Sequence, residues 1–110
     1  MRGQVMSSLY AMRRANGDWF ALDDHGSFRV PVFRSSGGGM MARVRHREMR
    51  LFKPVALDGQ ALGDLVPLNG AGEVYFWLVD EPFTDVKRGQ PMAPAQLALL
   101  VQEAARHARG

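Results

Sequence analysis

The chain has no cysteine. Disulfide staples, thiolate metal sites and a cysteine nucleophile are excluded, and a reducing cytoplasm is the compartment expected. No long apolar run is present either. A membrane-spanning helix needs roughly 18 such residues. The longest stretch here, Val74 to Val79, has the length of a buried strand. Met1 to Ser8 hold one arginine and no apolar core, so they do not read as a secretory signal. They are expected to be a loose end. Catalytic signatures are also missing. There is no G-x-S-x-G, no histidine pair at helical spacing, and no Gly-Lys-Ser/Thr after the triple glycine. No cofactor, no metal and no membrane partner are expected.

Acidic residues are scarce in the first half. Residues 1–55 hold ten Arg/Lys against four Asp/Glu, and residues 56–110 hold four against seven. The halves therefore carry +6 and −3. Such asymmetry suits an anionic partner, an opposite half of the same chain, or a merely solvated surface.

What is present suffices for one core. Of 110 residues, 46% are hydrophobic, which suits a single domain spanning 1–110. A chain of this size buries roughly two thirds of its unfolded surface and needs no staples.

The first third predicts a three-stranded antiparallel meander. Leu9–Ala15 and Asp18–Asp23 flank Asn16-Gly17, a strong hairpin signal. Ser27–Phe33 follows a second turn at Asp24-His25-Gly26. A two-residue turn at Asn16-Gly17 sets Arg14 opposite Trp19 and Met12 opposite Ala21. A core face then collects Tyr10, Met12, Trp19, Ala21, Phe28, Val30 and Val32. Pro31 lacks a donor, so the third strand is expected to be an edge or bulged. The other face holds Leu9, Phe20, Leu22 and Phe33, which need a cover: the C-terminal helix or a second subunit.

Beyond Ser35-Ser36 and the triple glycine, a helix is predicted over 40–51, with a serine as cap. Met40, Met41, Val44, Leu51 and Phe52 take one side; Arg43, His46, Arg47 and Arg50 take the other. Pro54 stops it. Val55–Leu57 reads as a strand, Gly59–Val66 as a helix capped by Asp58, and Asn69–Gly72 as a turn. Glu73–Asp80 reads as a central strand, apolar on both faces. Residues 81–93 read as a loop and Pro94–Arg109 as a final helix. The fold class expected is α+β: an antiparallel or mixed sheet of about five strands with two or three helices, in the order β-β-β-α-β-α-β-α, helices mainly on one side.

The run Asn16 to Gly26, with Arg29 to Phe33 and Phe52-Lys53-Pro54-Val55-Ala56-Leu57-Asp58, resembles a group of small bacterial proteins of unknown function. That likeness covers most of residues 9–80. More distantly, the element order is similar to the SseB-like family. Both resemblances imply the same order of strands and helices, and neither implies an activity.

Several clusters invite chemistry. Asp23, Asp24 and His25 are adjacent potential ligands, but neighbouring strand residues point to opposite faces, and turn chemistry explains them. Asp80, Glu81 and Asp85 end a strand and enter an ordinary connection. The triple glycine before a helix resembles an anion cradle, without the cation of a phosphate loop. Tyr75 to Leu78 suit a two-sided buried strand. The best-defined feature is the basic face Arg43, His46, Arg47 and Arg50, a candidate anion or nucleic-acid contact. Leu9, Phe20, Leu22 and Phe33 are the candidate dimer surface. The reading expected is a non-catalytic interaction or regulatory module, a homodimer or bound to a protein partner. A nucleic-acid-binding accessory protein comes second, and a small enzyme without a recognisable motif third.

Overall fold

The computed structural model describes residues 8–24, 27–65, 74–79 and 89–108. The order is β1 (Tyr10–Arg14), β2 (Leu22–Asp24), β3 (Ser27–Phe33), α1 (Ser36–Arg45), a 3-10 turn (Arg47–Met49), β4 (Phe52–Ala56), α2 (Gly59–Leu65), β5 (Val74–Val79), β6 (Gly89–Met92) and α3 (Pro94–Ala108). This is an α+β fold with one six-stranded mixed sheet. Its strands run β4-β1-β3-β5-β6, with β2 also on β3. β3 and β5 are parallel and the other pairings antiparallel. The third-strand bounds and a strand at β5 are as expected, but the meander is not: β1 pairs with β3, and the return strand expected over 18–23 is β2 at Leu22–Asp24, with β1 reaching that segment through the isolated Arg13–Trp19 bridge. Part of the expected 81–93 loop is instead the edge strand β6. The turns expected at His25-Gly26 and Asn69–Gly72, and the carboxylates Asp80, Glu81 and Asp85, lie outside the described residues.

The first hairpin differs by one residue. Gly17 N–H donates to the Arg14 carbonyl at 2.9 Å, and Arg14 N–H to the Asp18 carbonyl at 2.9 Å. The loop therefore has three residues, Ala15-Asn16-Gly17, with Gly17 at φ 98°. That is a type I turn closed by a left-handed glycine, which the same Asn-Gly pair serves as well as a two-residue turn. Arg13, not Arg14, stands opposite Trp19, and Phe20 N–H donates to the Met12 carbonyl at 2.8 Å. A slip of one residue moves a whole strand's side chains to the other face.

The expected core face is thus split. Trp19, Val30 and Val32 join Leu9, Ala11, Phe76 and Leu78 on one side, beneath Ala61 and Leu65 of α2 and Leu97 and Val101 of α3. Met12, Phe20, Phe33 and Val79 line the other side, with Tyr10 and Leu22 against them, beneath Ala42 of α1 and Met49. Helices therefore cover both faces, not mainly one. The sheet is the middle of three layers. Met12, Phe33 and Met49 are fully buried, each stabilising by about 1.5–3 kcal/mol relative to exposure. Phe20 and Phe52 add an edge-to-face contact at 5.3 Å.

Pro31 is buried inside the sheet rather than at an edge. β2 pairs with residues 27–29 of β3, and β1 with 32–33. Pro31 falls in the gap between, where neither ladder uses its nitrogen. The two true edges, β4 and β6, carry Pro54 and Pro91.

Candidate interaction surface

α1 starts four residues earlier than predicted, because the glycines are helical rather than loop. Ser35 is the N-cap, its Oγ accepting from Gly38 N–H at 2.9 Å. This satisfies one of the orphan donors of the first turn. The buried side of α1 is Gly38, Gly39 and Ala42. Small residues let the helix backbone approach the sheet closely: a Cβ on Gly39 would lie 3.1 Å from both Met12 Sδ and Pro54 Cβ. The longer apolar residues of α1 are consequently left outside.

Met40, Met41, Val44 and Leu51 are exposed at 41%, 52%, 81% and 73%. Sequence periodicity grouped them, with Phe52, on one side of the helix. What it missed was that a stripe of glycine and alanine packs nearer than methionine can. Leu51 follows the 3-10 turn. Arg43 holds the two segments together, donating Nε and Nη2 to the Arg50 carbonyl at 3.0 and 2.8 Å.

The predicted basic face is correspondingly rearranged. α1 ends at Arg45, and His46 turns extended at φ −121° and ψ 112° before the 3-10 turn. Arg43, His46, Arg47 and Arg50 are therefore not one helical stripe. Arg43 is half-buried and spent on a structural bond, and His46 is half-buried. Arg47 and Arg50 are exposed, as are Arg45, Lys53 and one acid, Glu48. Between Asp24 and Asp58, Glu48 is the sole acid against seven Arg/Lys.

The candidate dimer surface is also overturned as a surface. Phe20, Phe33 and Leu9 are buried within the chain, at 7%, 0% and 9% exposure. Leu22 is half-buried against α1's side, while Leu9 faces α2 and α3. α1 and Met49 are the cover that the sequence left open between the C-terminal helix and a second subunit.

Beside Leu51, the ends of β1 and β4 form a cleft of about 270 Å³ lined by Arg13, Arg14, Ala15, Leu51, Lys53 and Val55. Register sets Arg13 opposite Lys53 and Arg14 opposite Phe52. Arg14 binds Asn16 Oδ1 at 3.1 Å and Asp18 Oδ2 at 2.8 Å. Hydrogen bonds donated to its carboxylate, by Arg14 first and by Asn16 Nδ2 at 3.1 Å second, hold the Asp18 carboxyl below its ordinary value. Arg13 donates to the Gly17 carbonyl at 2.9 Å, stacks on Trp19 at 4.5 Å and pairs with Asp64 at 3.4 Å. Lys53 makes no ion pair among the described residues.

A second cleft, about 240 Å³, continues past Arg13 and Val55 to Asp58, Gln60 and Asp64. Its carboxylates have structural employment: Asp58 Oδ1 accepts from Ala61 N–H at 2.8 Å as the cap of α2, and Asp64 pairs with Arg13. No group of three His, Asp or Glu among the described residues is placed to hold a metal. No described helix is long and apolar enough to cross a membrane. No protein-family model, curated protein or solved structure matches the chain. Function must be read from the surface itself.

Proposed function

We propose that the chain is a non-catalytic protein-interaction module, with the outer side of α1 and the turn after it as the binding surface. One observation carries this reading. Of the five large apolar side chains exposed among the described residues, four are Met40, Met41, Val44 and Leu51, and only Leu99 lies elsewhere. Scattered exposed apolar residues are ordinary, whereas a cluster rimmed by polar groups marks a contact surface. Methionine suits such a role because its flexible, polarisable side chain adapts to a partner. Arg45, Arg47 and Arg50, exposed at the end of α1 and in the turn after it, add steering for an oppositely charged partner.

A two-fold contact of this surface with itself would bring together two surfaces of the same positive sign. A homodimer through this face is disfavoured, and a different protein is the partner.

The test is comparative affinity capture from a native lysate with the wild type and Val44→Glu. Glutamate is the better helix former, so the fold is kept. Partners held by the wild type and lost from the variant would support the reading; identical profiles would reject it. A second reading, nucleic-acid binding, is favoured by the three exposed arginines Arg45, Arg47 and Arg50. Absorbance at two wavelengths during size-exclusion chromatography reads it directly. Nucleic acid that co-elutes and is stripped by salt would put it first.

A further inference from the structure

We infer that the partner presents a short acidic segment with large apolar residues, and that one of its carboxylates enters the cleft beside Lys53. This deepens the interaction reading and rests on it. Leu51 joins the two halves of the proposed site. It belongs to the exposed apolar cluster and also to the wall of the 270 Å³ cleft.

Three cations reach that cleft, and their commitments differ. Arg13 is held by Gly17 and Asp64, and Arg14 by Asn16 and Asp18. Lys53, exposed and opposite Arg13 in the sheet, has no carboxylate among the described residues. A partner carboxylate there gains a charge-assisted bond without displacing one. The second cleft limits how far the acidic segment extends. Beyond Arg13 and Val55 it meets Asp58 and Asp64, so further negative charge is repelled in that direction.

Concavity argues for a peptide over an anionic bilayer. A bilayer rewards apolar side chains that protrude, and Met41 and Val44 would satisfy it. It gains nothing from a cleft whose cations lie between strand ends. A protein segment uses both features.

The test is selection of random peptides of about a dozen residues on the full chain. Binding of the selected peptides is then measured to the wild type, Val44→Glu and Lys53→Glu, whose folding is checked by circular dichroism. Both changes are at exposed positions. The expected result is enrichment of sequences combining Asp/Glu with large apolar residues. Each variant should weaken binding about tenfold or more, and added salt should weaken it further. Neutral or basic selected sequences, no selected sequence, or affinities unmoved by both variants would overturn the inference. So would binding to phosphatidylserine vesicles or to a single-stranded RNA in place of peptides. Lysate partners that depend on Val44, alongside failure to select an acidic segment, would reject only this inference. Loss of both would reject the interaction reading as well.

Discussion

Gly39 of α1 sits so close to Met12 of β1 that a Cβ built on the glycine would stand 3.1 Å from the methionine sulfur. Pro54 of β4 crowds the same point at 3.1 Å. Alanine is a better helix former than glycine by about 1 kcal/mol, but forcing a methyl into a closed seam costs about 1–3 kcal/mol. Gly39→Ala should therefore lose about 1 kcal/mol net. Gly37 provides the contrast. It is exposed in the same turn, and its added Cβ would meet only Ser35 Oγ at 3.9 Å. Gly37→Ala should stabilise by about 0.4–1 kcal/mol. Urea midpoints of the two variants, moving in opposite directions, check the close approach. A gain for both would mean the seam is loose.

The same seam explains what could be read in advance and what could not. Strand and helix order, β6 excepted, followed from turn residues and apolar runs, which are local signals. The face assignments of β1 failed on a single residue, because Asn16-Gly17 closes a three-residue loop as readily as a two-residue one. That slip moved Leu9 away from Phe20 and Phe33 and dissolved the expected dimer surface. For α1, periodicity gathered Met40, Met41 and Val44 into one apolar side. Burial went to Gly38, Gly39 and Ala42 because backbone proximity, not side-chain hydrophobicity, selected the face. The basic character of the region was legible in the sequence. The division of labour within it was not, since Arg43's bond to the Arg50 carbonyl depends on the helix stopping at Arg45.

Gly17 should be the least replaceable residue of the first hairpin. Its φ of 98° is a backbone conformation that side chains oppose. An added Cβ would otherwise meet only Arg13 Nη2 at 3.8 Å, so the cost is conformational rather than steric. Gly17→Ala should lose about 1–2 kcal/mol, and Gly17→Asn less, since asparagine tolerates this region better. Equal stability of all three in thermal unfolding would show that the loop has another geometry.

Asp18 supplies a pH-dependent prediction. Hydrogen bonds from Arg14 and Asn16 favour its charged form and lower its pKa in the folded chain. The unfolded chain therefore binds this proton more readily. Any stability from the pair is present above the ordinary carboxylate pKa and is lost as pH falls through the lowered folded value. The group is exposed, so the effect on stability is small. The titration itself is the sharper observable. Carboxyl carbon shifts of Asp18 should titrate below an ordinary aspartate in the wild type and move up toward it in Arg14→Gln. An unchanged midpoint would remove Arg14 as the cause.

Pro54 should protect the open edge of β4. Leu57 N–H donates to the Leu9 carbonyl at 2.8 Å, which fixes the alternation of the antiparallel ladder. Residues 53, 55 and 57 turn their backbone groups toward β1, so Phe52, Pro54 and Ala56 turn theirs outward. The central outward donor is the one that proline lacks. Edge strands with complete donor rows invite pairing with other chains, and proline on the edge is a recognised defence. Pro54→Val restores the donor and leaves Phe52-Lys53-Val-Val55-Ala56, a run of high strand propensity interrupted by one lysine. The variant should remain folded by circular dichroism yet associate with rising concentration in sedimentation velocity, while the wild type does not do so through this edge. Hydrogen exchange would place the new contact, with amide protection appearing at residues 52, 54 and 56. A variant that sediments as the wild type does at every concentration would show that the edge is guarded by Lys53 and the neighbouring arginines instead. In that case Lys53→Val together with Pro54→Val would be the combination that opens it.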